Sequence, residues 1–186
     1  MHDDEKDIRV FSQEVLETVG GYPASLTDTG ICIQELSVYP CEYLNEFMNG
    51  CFGCQNSCYI CQDADAIKLL EKDLKLQQER IEIIKTEKKY TFSDASKKWF
   101  VIHTQAVYAL EKLIHILKTY SIGLLVRFSQ DNEIIYITNT ETGVIEEFKI
   151  QLPLESEILK VSDINQENLS SIPQGMLEVI NSAKIH

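Results

Sequence analysis

Hydrophobic residues along this chain follow a helical period in its middle and a period of two further on. Ile8, Phe11, Val15, Leu16 and Val19 recur at helical spacing after an acidic opening, and Gly20-Gly21 with Pro23 ends that helix. Thr27 to Ile60 is rich in cysteine, and Gly30, Gly50 and Gly53 stand where tight turns need backbone freedom. From Asp63 the steps alternate between three and four. Ile67, Leu70, Leu74, Gln77, Ile81, Ile84 and Lys88 form one coiled-coil seam, and Trp99, His103, Ala106, Leu110, Leu113, Leu117 and Tyr120 form a second. A break at Tyr90–Phe92, with Ser93 as N-cap and Asp94 in the first turn, separates them. Two helices of this length fold back as an antiparallel hairpin roughly 40 Å long.

After Tyr120 the period drops to two. Leu124–Phe128, Ile134–Thr138 and Val144–Ile150 predict strands, separated by the turn sequences Ser129-Gln130-Asp131-Asn132 and Asn139-Thr140-Glu141-Thr142-Gly143. The tail predicts a strand at Ile158–Val161, a polar loop and a short helix after Pro173. The expected fold class is α+β, with a cysteine-rich metal-bound module, a long antiparallel two-helix hairpin and a small antiparallel β-meander. The expected segments are 1–26 (acidic helix), 27–62 (cysteine module), 63–120 (hairpin) and 121–186 (meander and tail).

Cysteine usage adds chemistry to this outline. All six cysteines, Cys32, Cys41, Cys51, Cys54, Cys58 and Cys61, lie within one short stretch. Two Cys-x2-Cys pairs let tight knuckles aim their sulfurs at one tetrahedral ion, with Zn–S distances of about 2.3 Å. An ion would stand in for a hydrophobic core, so little regular structure is expected there. Cys51, Cys54, Cys58 and Cys61 form the compact ligand set. Cys32 and Cys41 with Cys51 and Cys54 form a wider one, and six cysteines sharing two bridged ions form a third. An iron–sulfur cluster is the alternative cofactor, although the x2, x3, x2 spacing differs from ferredoxin runs. Redox-active thiols lack a strand–helix context. A disulfide framework would need an oxidising compartment, and no export leader or membrane-spanning run is visible, so the expected location is cytoplasmic.

The chain has 186 residues, a net charge of −12 and 44% hydrophobic residues, enough apolar content for a genuine core. That charge argues against a protein that coats nucleic acid. Residues 62–120 alone lack an acidic excess, and Lys85, Lys88, Lys89, Lys97 and Lys98 cluster there as candidate phosphate contacts or as the solvated end of the hairpin. His103 on the second seam, and Trp99 one turn before it, are read as packing residues. No serine elbow, Walker loop or dinucleotide fingerprint is present, and no enzyme is expected.

Thr27-Asp28-Thr29-Gly30-Ile31-Cys32, Pro40-Cys41 and Cys51-Phe52-Gly53-Cys54, followed by the two helices with Trp99 and His103 and by Gly123-Leu124-Leu125-Val126, carry a resemblance. Together they resemble the C-terminal region of the long tyrosine recombinases (phage-integrase superfamily) of site-specific transposons, over residues 27–128. Many members of that family carry a His shortly after the first cysteine, where Gln34 and Glu35 stand here. Cys58 and Cys61 are additional to the pattern and offer a replacement ligand. The only arginines are Arg9, Arg80 and Arg127, too few for the recombinase catalytic set, so no catalytic residue carries over. The resemblance implies a C-terminal fragment or an accessory protein that keeps the zinc-and-hairpin module, with a recombinase, a second copy of the chain or another protein as partner. DNA contact is expected to be weak at most. A metal-dependent adaptor unrelated to DNA and an iron–sulfur or redox sensor are the competing functions.

Overall fold

The computed structural model describes residues 24–35, 41, 51, 54–86, 94–130 and 132–162. The helix expected at Ile8–Val19, the break at Tyr90–Phe92 with its Ser93 cap, and the helix expected after Pro173 lie outside those residues. The protein is α+β. Its described elements run β1 (Ser25–Thr27), β2 (Gly30–Cys32), β3 (Ser57–Ile60), α1 (Ala64–Thr86), α2 (Asp94–Thr119), β4 (Leu125–Phe128), β5 (Ile134–Thr138), β6 (Ile145–Lys149) and α3 (Glu155–Ser162). Two compact units emerge, one of Met1–Leu70 with Leu113–Ile150 and one of Glu71–Lys112 with Gln151–His186. Two of the three boundaries fall inside the long helices, and the third follows β6.

The first unit is built on one six-stranded antiparallel sheet in the order β1-β2-β3-β4-β5-β6. The expected meander is present as β4–β6. The cysteine-rich stretch departs from the expectation of little regular structure, because among the described residues it contributes β2, β3 and the end of β1 to the same sheet. The helices are inserted between two neighbouring strands: β3 pairs directly with β4 (Cys58↔Arg127, Tyr59↔Val126, Ile60↔Leu125). A short neck closes this insertion. Cys61 N donates to Leu124 O at 2.9 Å, and Gly123 N donates to Cys61 O at 3.3 Å.

Gln62 turns the chain out of the sheet with a φ of 68°. That left-handed conformation is costly for a residue with a Cβ, and its hydrogen bonds offset the cost. Its N–H donates to Leu117 O at 2.9 Å, and Nε2 donates to Lys118 O at 2.8 Å and Tyr120 O at 2.9 Å. One residue thus satisfies carbonyls at the C-terminus of α2, which have no partner within the helix. Asp63 next caps α1, its Oδ1 accepting from Ala66 N at 3.0 Å.

Both faces of the central strands are covered. Ile31, Cys58, Ile60 and Leu125 cluster on one face, with Ala24 and Ile33 against them. On the other, Tyr59, Val126, Phe128, Ile135 and Ile137 are buried, and Tyr59 meets Phe128 edge-on with ring centroids 6.4 Å apart. All four residues of β3 are buried, so that strand has no alternating pattern.

In the second unit the antiparallel helix segments share a core of Ile81, Phe100, Val101 and Val107, joined by Ile158 of α3. The first expected seam is largely present, with Gln77 and Ile81 buried and Leu74 and Ile84 partly so. The second is shifted at its start. Phe100 and Val107 are buried where Trp99 and Ala106 were expected, and Trp99 is 47% exposed. The expected strand at Ile158–Val161 is corrected to helix α3, whose buried Ile158 belongs to the helical core. Gln105 Nε2 donates to Pro153 O at 3.1 Å, fixing the chain just before that helix.

Candidate metal centre

Strand alternation sorts the cysteines. Cys32 stands opposite Ser57, and Cys58 stands opposite Ile31. Successive residues of a strand point to opposite faces, so Cys32, Ser57 and Tyr59 share one face and Cys58 lies on the other. Cys51 belongs with the first group: Ser57 hydrogen-bonds its thiol, and Tyr59 Oη donates to its carbonyl oxygen at 2.8 Å. Cys54 follows in a tight turn. Its N–H reaches Cys51 O at 3.4 Å, its own carbonyl accepts from Ser57 N at 3.0 Å, and Asn56 N donates to its sulfur at 3.4 Å. This is a knuckle in which backbone N–H groups already point at sulfur.

A second set of bonds fastens the knuckle to β2. Ile33 N donates to Asn56 O at 2.9 Å, and Asn56 Nδ2 donates to Gln34 Oε1 at 2.8 Å. Gln34, near the place where the resemblance expects a histidine, therefore braces the knuckle.

Electrostatics groups four sulfurs. Burial pushes the Cys51 thiol above its usual range, opposed by the Ser57 hydrogen bond and reinforced by Cys32, Cys54 and Cys41. Burial likewise raises Cys54, with Cys32 and Cys41 adding to it and the Asn56 N–H working against it. Cys51 and Cys54 thus each lie within electrostatic reach of Cys32 and Cys41. Deprotonated together, thiols so placed would repel, and a divalent cation would turn that repulsion into attraction.

Cys58 and Cys61 serve differently. Cys58 packs with Ile31, Ile60 and Leu125, and burial pushes its thiol up to about 11, against the opposing charge of Arg127 and with a smaller push from Cys32. Cys61 is fully buried, with Sγ 4.0 Å from Ile116 O, and burial lifts it to about 12. Burial and strand position thus set Cys58 and Cys61 apart from Cys51 and Cys54. Among the described residues, no three Cys, His, Asp or Glu side chains form a ready-made metal group.

No protein-family model, curated protein or solved structure matches this chain.

The candidate phosphate contacts divide as well. Lys97 and Lys98 are exposed in the first turns of α2, the Lys85 ammonium is buried, and Lys88 and Lys89 lie outside the described residues. His103 is 1% exposed, with Nδ1 hydrogen-bonded to Gln77 Oε1 and the Trp99 ring tilted against it at 5.2 Å. Burial, then the charge of Arg80, holds its imidazole down to about 4. It is a neutral packing residue at neutral pH. Among the described residues, no helix is long and apolar enough to cross a membrane.

Sequence reasoning did not find Gln34, Asn56 and Tyr59, which hold the knuckle. No pattern marks them, since Gln34 and Asn56 meet from distant parts of the chain and Tyr59 reaches back from β3 to Cys51 O. Asn56, two residues after Cys54, is the one position that knuckle geometry alone could have singled out.

Proposed function

We propose that this chain is a non-catalytic interaction module in DNA recombination or transposition, clasped by Zn²⁺ at Cys32, Cys41, Cys51 and Cys54, and that it acts through a protein partner. The observation that carries the zinc half is the knuckle on the Cys32 face, with Asn56 N–H directed at Cys54 Sγ and Cys32 and Cys41 within electrostatic reach of both knuckle sulfurs. Soft thiolates in a four-sulfur set suit zinc over hard cations. Bound there, the ion would neutralise the thiolates and tie Cys41 to β2 and to the Cys51–Cys54 turn. Cys58 and Cys61 would keep the neck and the sheet packed, as core thiols do.

The recombination half rests on the resemblance of Thr27–Cys32, Pro40-Cys41 and Cys51–Cys54 followed by paired helices. A protein partner is favoured over DNA because the chain carries a net charge of −12 and Lys97 and Lys98 are the exposed members of the described lysine group. Two measurements test the reading separately. Elemental analysis with thiol counting before and after chelation should give one zinc per chain and four thiols that become reactive when it is removed. A brown, iron-containing protein after anaerobic purification would refute zinc. Co-purification with a tyrosine recombinase tests the setting, with gel shifts at several salt concentrations to detect phosphate contact. Absence of both associations would refute the recombination half and leave the zinc clasp standing.

A further inference from the structure

The outermost described strand of the sheet carries a self-complementary sequence. Strand β6 (Ile145–Lys149) is exposed along its whole length, and it is the last strand among the described residues. Asn139 N donates to Val144 O at 2.9 Å, and Ile150 N donates to Glu133 O at 2.7 Å. Even-numbered positions therefore turn their backbone groups toward β5, and alternation aims those of Ile145, Glu147 and Lys149 away from the sheet. Such an edge is a template for another strand, and proteins that keep it unpaired blunt it with bulges, proline or charged side chains. No bulge or proline interrupts Ile145–Lys149, which pairs continuously with β5 from Ile134↔Lys149 to Thr138↔Ile145; its charges, Glu146, Glu147 and Lys149, oppose a random partner strand and admit one whose charges match them.

Side chains at this edge are unfinished. Phe148 lies beside Ile135 in the ladder, on the face where Ile135 and Ile137 are buried. It is nevertheless 39% exposed, because no described strand lies beyond it.

Outward backbone groups on odd positions require an antiparallel partner to set odd residues opposite odd ones. Three two-fold registers then keep at least three strand residues of each copy paired. Centring on Glu146 or on Glu147 places that carboxylate opposite its own counterpart, which is unfavourable. Centring on Phe148 places Phe148 against Phe148 and sets Glu147 of each copy opposite Lys149 of the other. Only this register joins rings at the axis and opposite charges on both sides.

We infer that a second copy of this chain adds antiparallel to β6 in the Phe148-centred register, extending the sheet across a two-fold axis. Two Glu147–Lys149 pairs and the aromatic contact select this partner over an unrelated strand. The inference is independent of the metal clasp.

Sedimentation equilibrium of the full chain tests it, with charge reversals at two exposed positions. Wild type should dimerise. Glu147→Lys and Lys149→Glu should each weaken self-association by about tenfold or more, since each turns both attractive pairs repulsive. The double variant keeps the native net charge and should dimerise like wild type. Mixing the two single variants should restore a dimer, because their pairs then complement one another. A wild type that stays monomeric up to ~100 µM, well above a Kd of ~10 µM, would overturn the inference. So would single variants as dimeric as wild type, or a mixture that stays monomeric. Circular dichroism of each variant separates lost pairing from lost folding.

Discussion

Replacing Gly30 with alanine would drive a methyl group into the backbone of the neighbouring strand. A Cβ at Gly30 would stand 2.2 Å from Cys58 O, 3.2 Å from its carbonyl carbon and 3.3 Å from Tyr59 Cα. All three atoms are backbone, so no side chain can swing aside. Cys58 and Tyr59 are themselves pinned by their pairing with β4 and by burial on both faces. The yielding element must be β2, which would move by roughly 1 Å to restore ordinary carbon–oxygen contact. Overpacking of this kind costs about 1–3 kcal/mol. Loosening the Ile31↔Cys58 and Cys32↔Ser57 pairs adds about 1 kcal/mol for each weakened hydrogen bond. A total near 3 kcal/mol lowers the melting temperature by roughly 6–12 °C in a chain of this size. Gly143→Ala is the control: Gly143 has φ 71° with nothing within 4 Å of an added Cβ, so only the left-handed penalty of about 1–2 kcal/mol applies. Thermal unfolding of both variants compares the two costs. If Gly30→Ala melts no lower than Gly143→Ala, the close approach of β2 to β3 described here is wrong.

Other consequences can be measured in the same material. Gln62→Ala should cost about 1–2 kcal/mol in urea unfolding through the lost bonds to Lys118 O and Tyr120 O; Gln62→Gly should cost less, because it relieves the left-handed backbone. His103 has a folded pKa of about 4, below its ordinary 6.5, so the unfolded chain takes up its proton first. Stability should be unaffected by this group above pH 6.5 and fall from there toward pH 4, with a slope approaching ~1.4 kcal/mol per pH unit. Urea unfolding between pH 7 and pH 4.5 should show that slope in wild type and lose it in His103→Phe; an unchanged slope would contradict the buried neutral ring. Because burial raises the Cys51 and Cys54 thiols, these proposed ligands are protonated at neutral pH without metal. Zinc uptake in weakly buffered solution should therefore release protons, and its affinity should climb with pH; pH-independent binding would contradict thiolate ligation.

The legible parts of the fold were those with a period. Ile67, Leu70, Gln77 and Ile81 gave α1 its seam, and alternation marked β5, whose Ile135 and Ile137 are buried between half-buried neighbours. Where two packing partners cover a segment, the period vanishes. Ser57–Ile60 is buried at every position and pairs with Leu125–Arg127, across the inserted helices, so no local signal marked it as a strand. The run at Ile158–Val161 was too short to separate the two periods, and contact with the helical core decided for helix. Trp99 misled the reading of the second seam: Phe100, one residue on, takes the buried place, leaving the larger ring to cover His103 from outside. For the candidate site, the cysteine spacing pointed to the knuckle, but the choice among six sulfurs depended on strand parity. A single residue of register separates Cys32, beside Ser57, from Cys58, beside Arg127.

Zinc content across the six single Cys→Ser variants, measured by elemental analysis at matched protein concentration and pH, tests the clasp most directly. The account predicts one zinc per chain in wild type, Cys58→Ser and Cys61→Ser, and loss of most or all of it in Cys32→Ser, Cys41→Ser, Cys51→Ser and Cys54→Ser. Full zinc in a folded Cys32→Ser or Cys41→Ser, or its loss from a folded Cys58→Ser or Cys61→Ser, would contradict it.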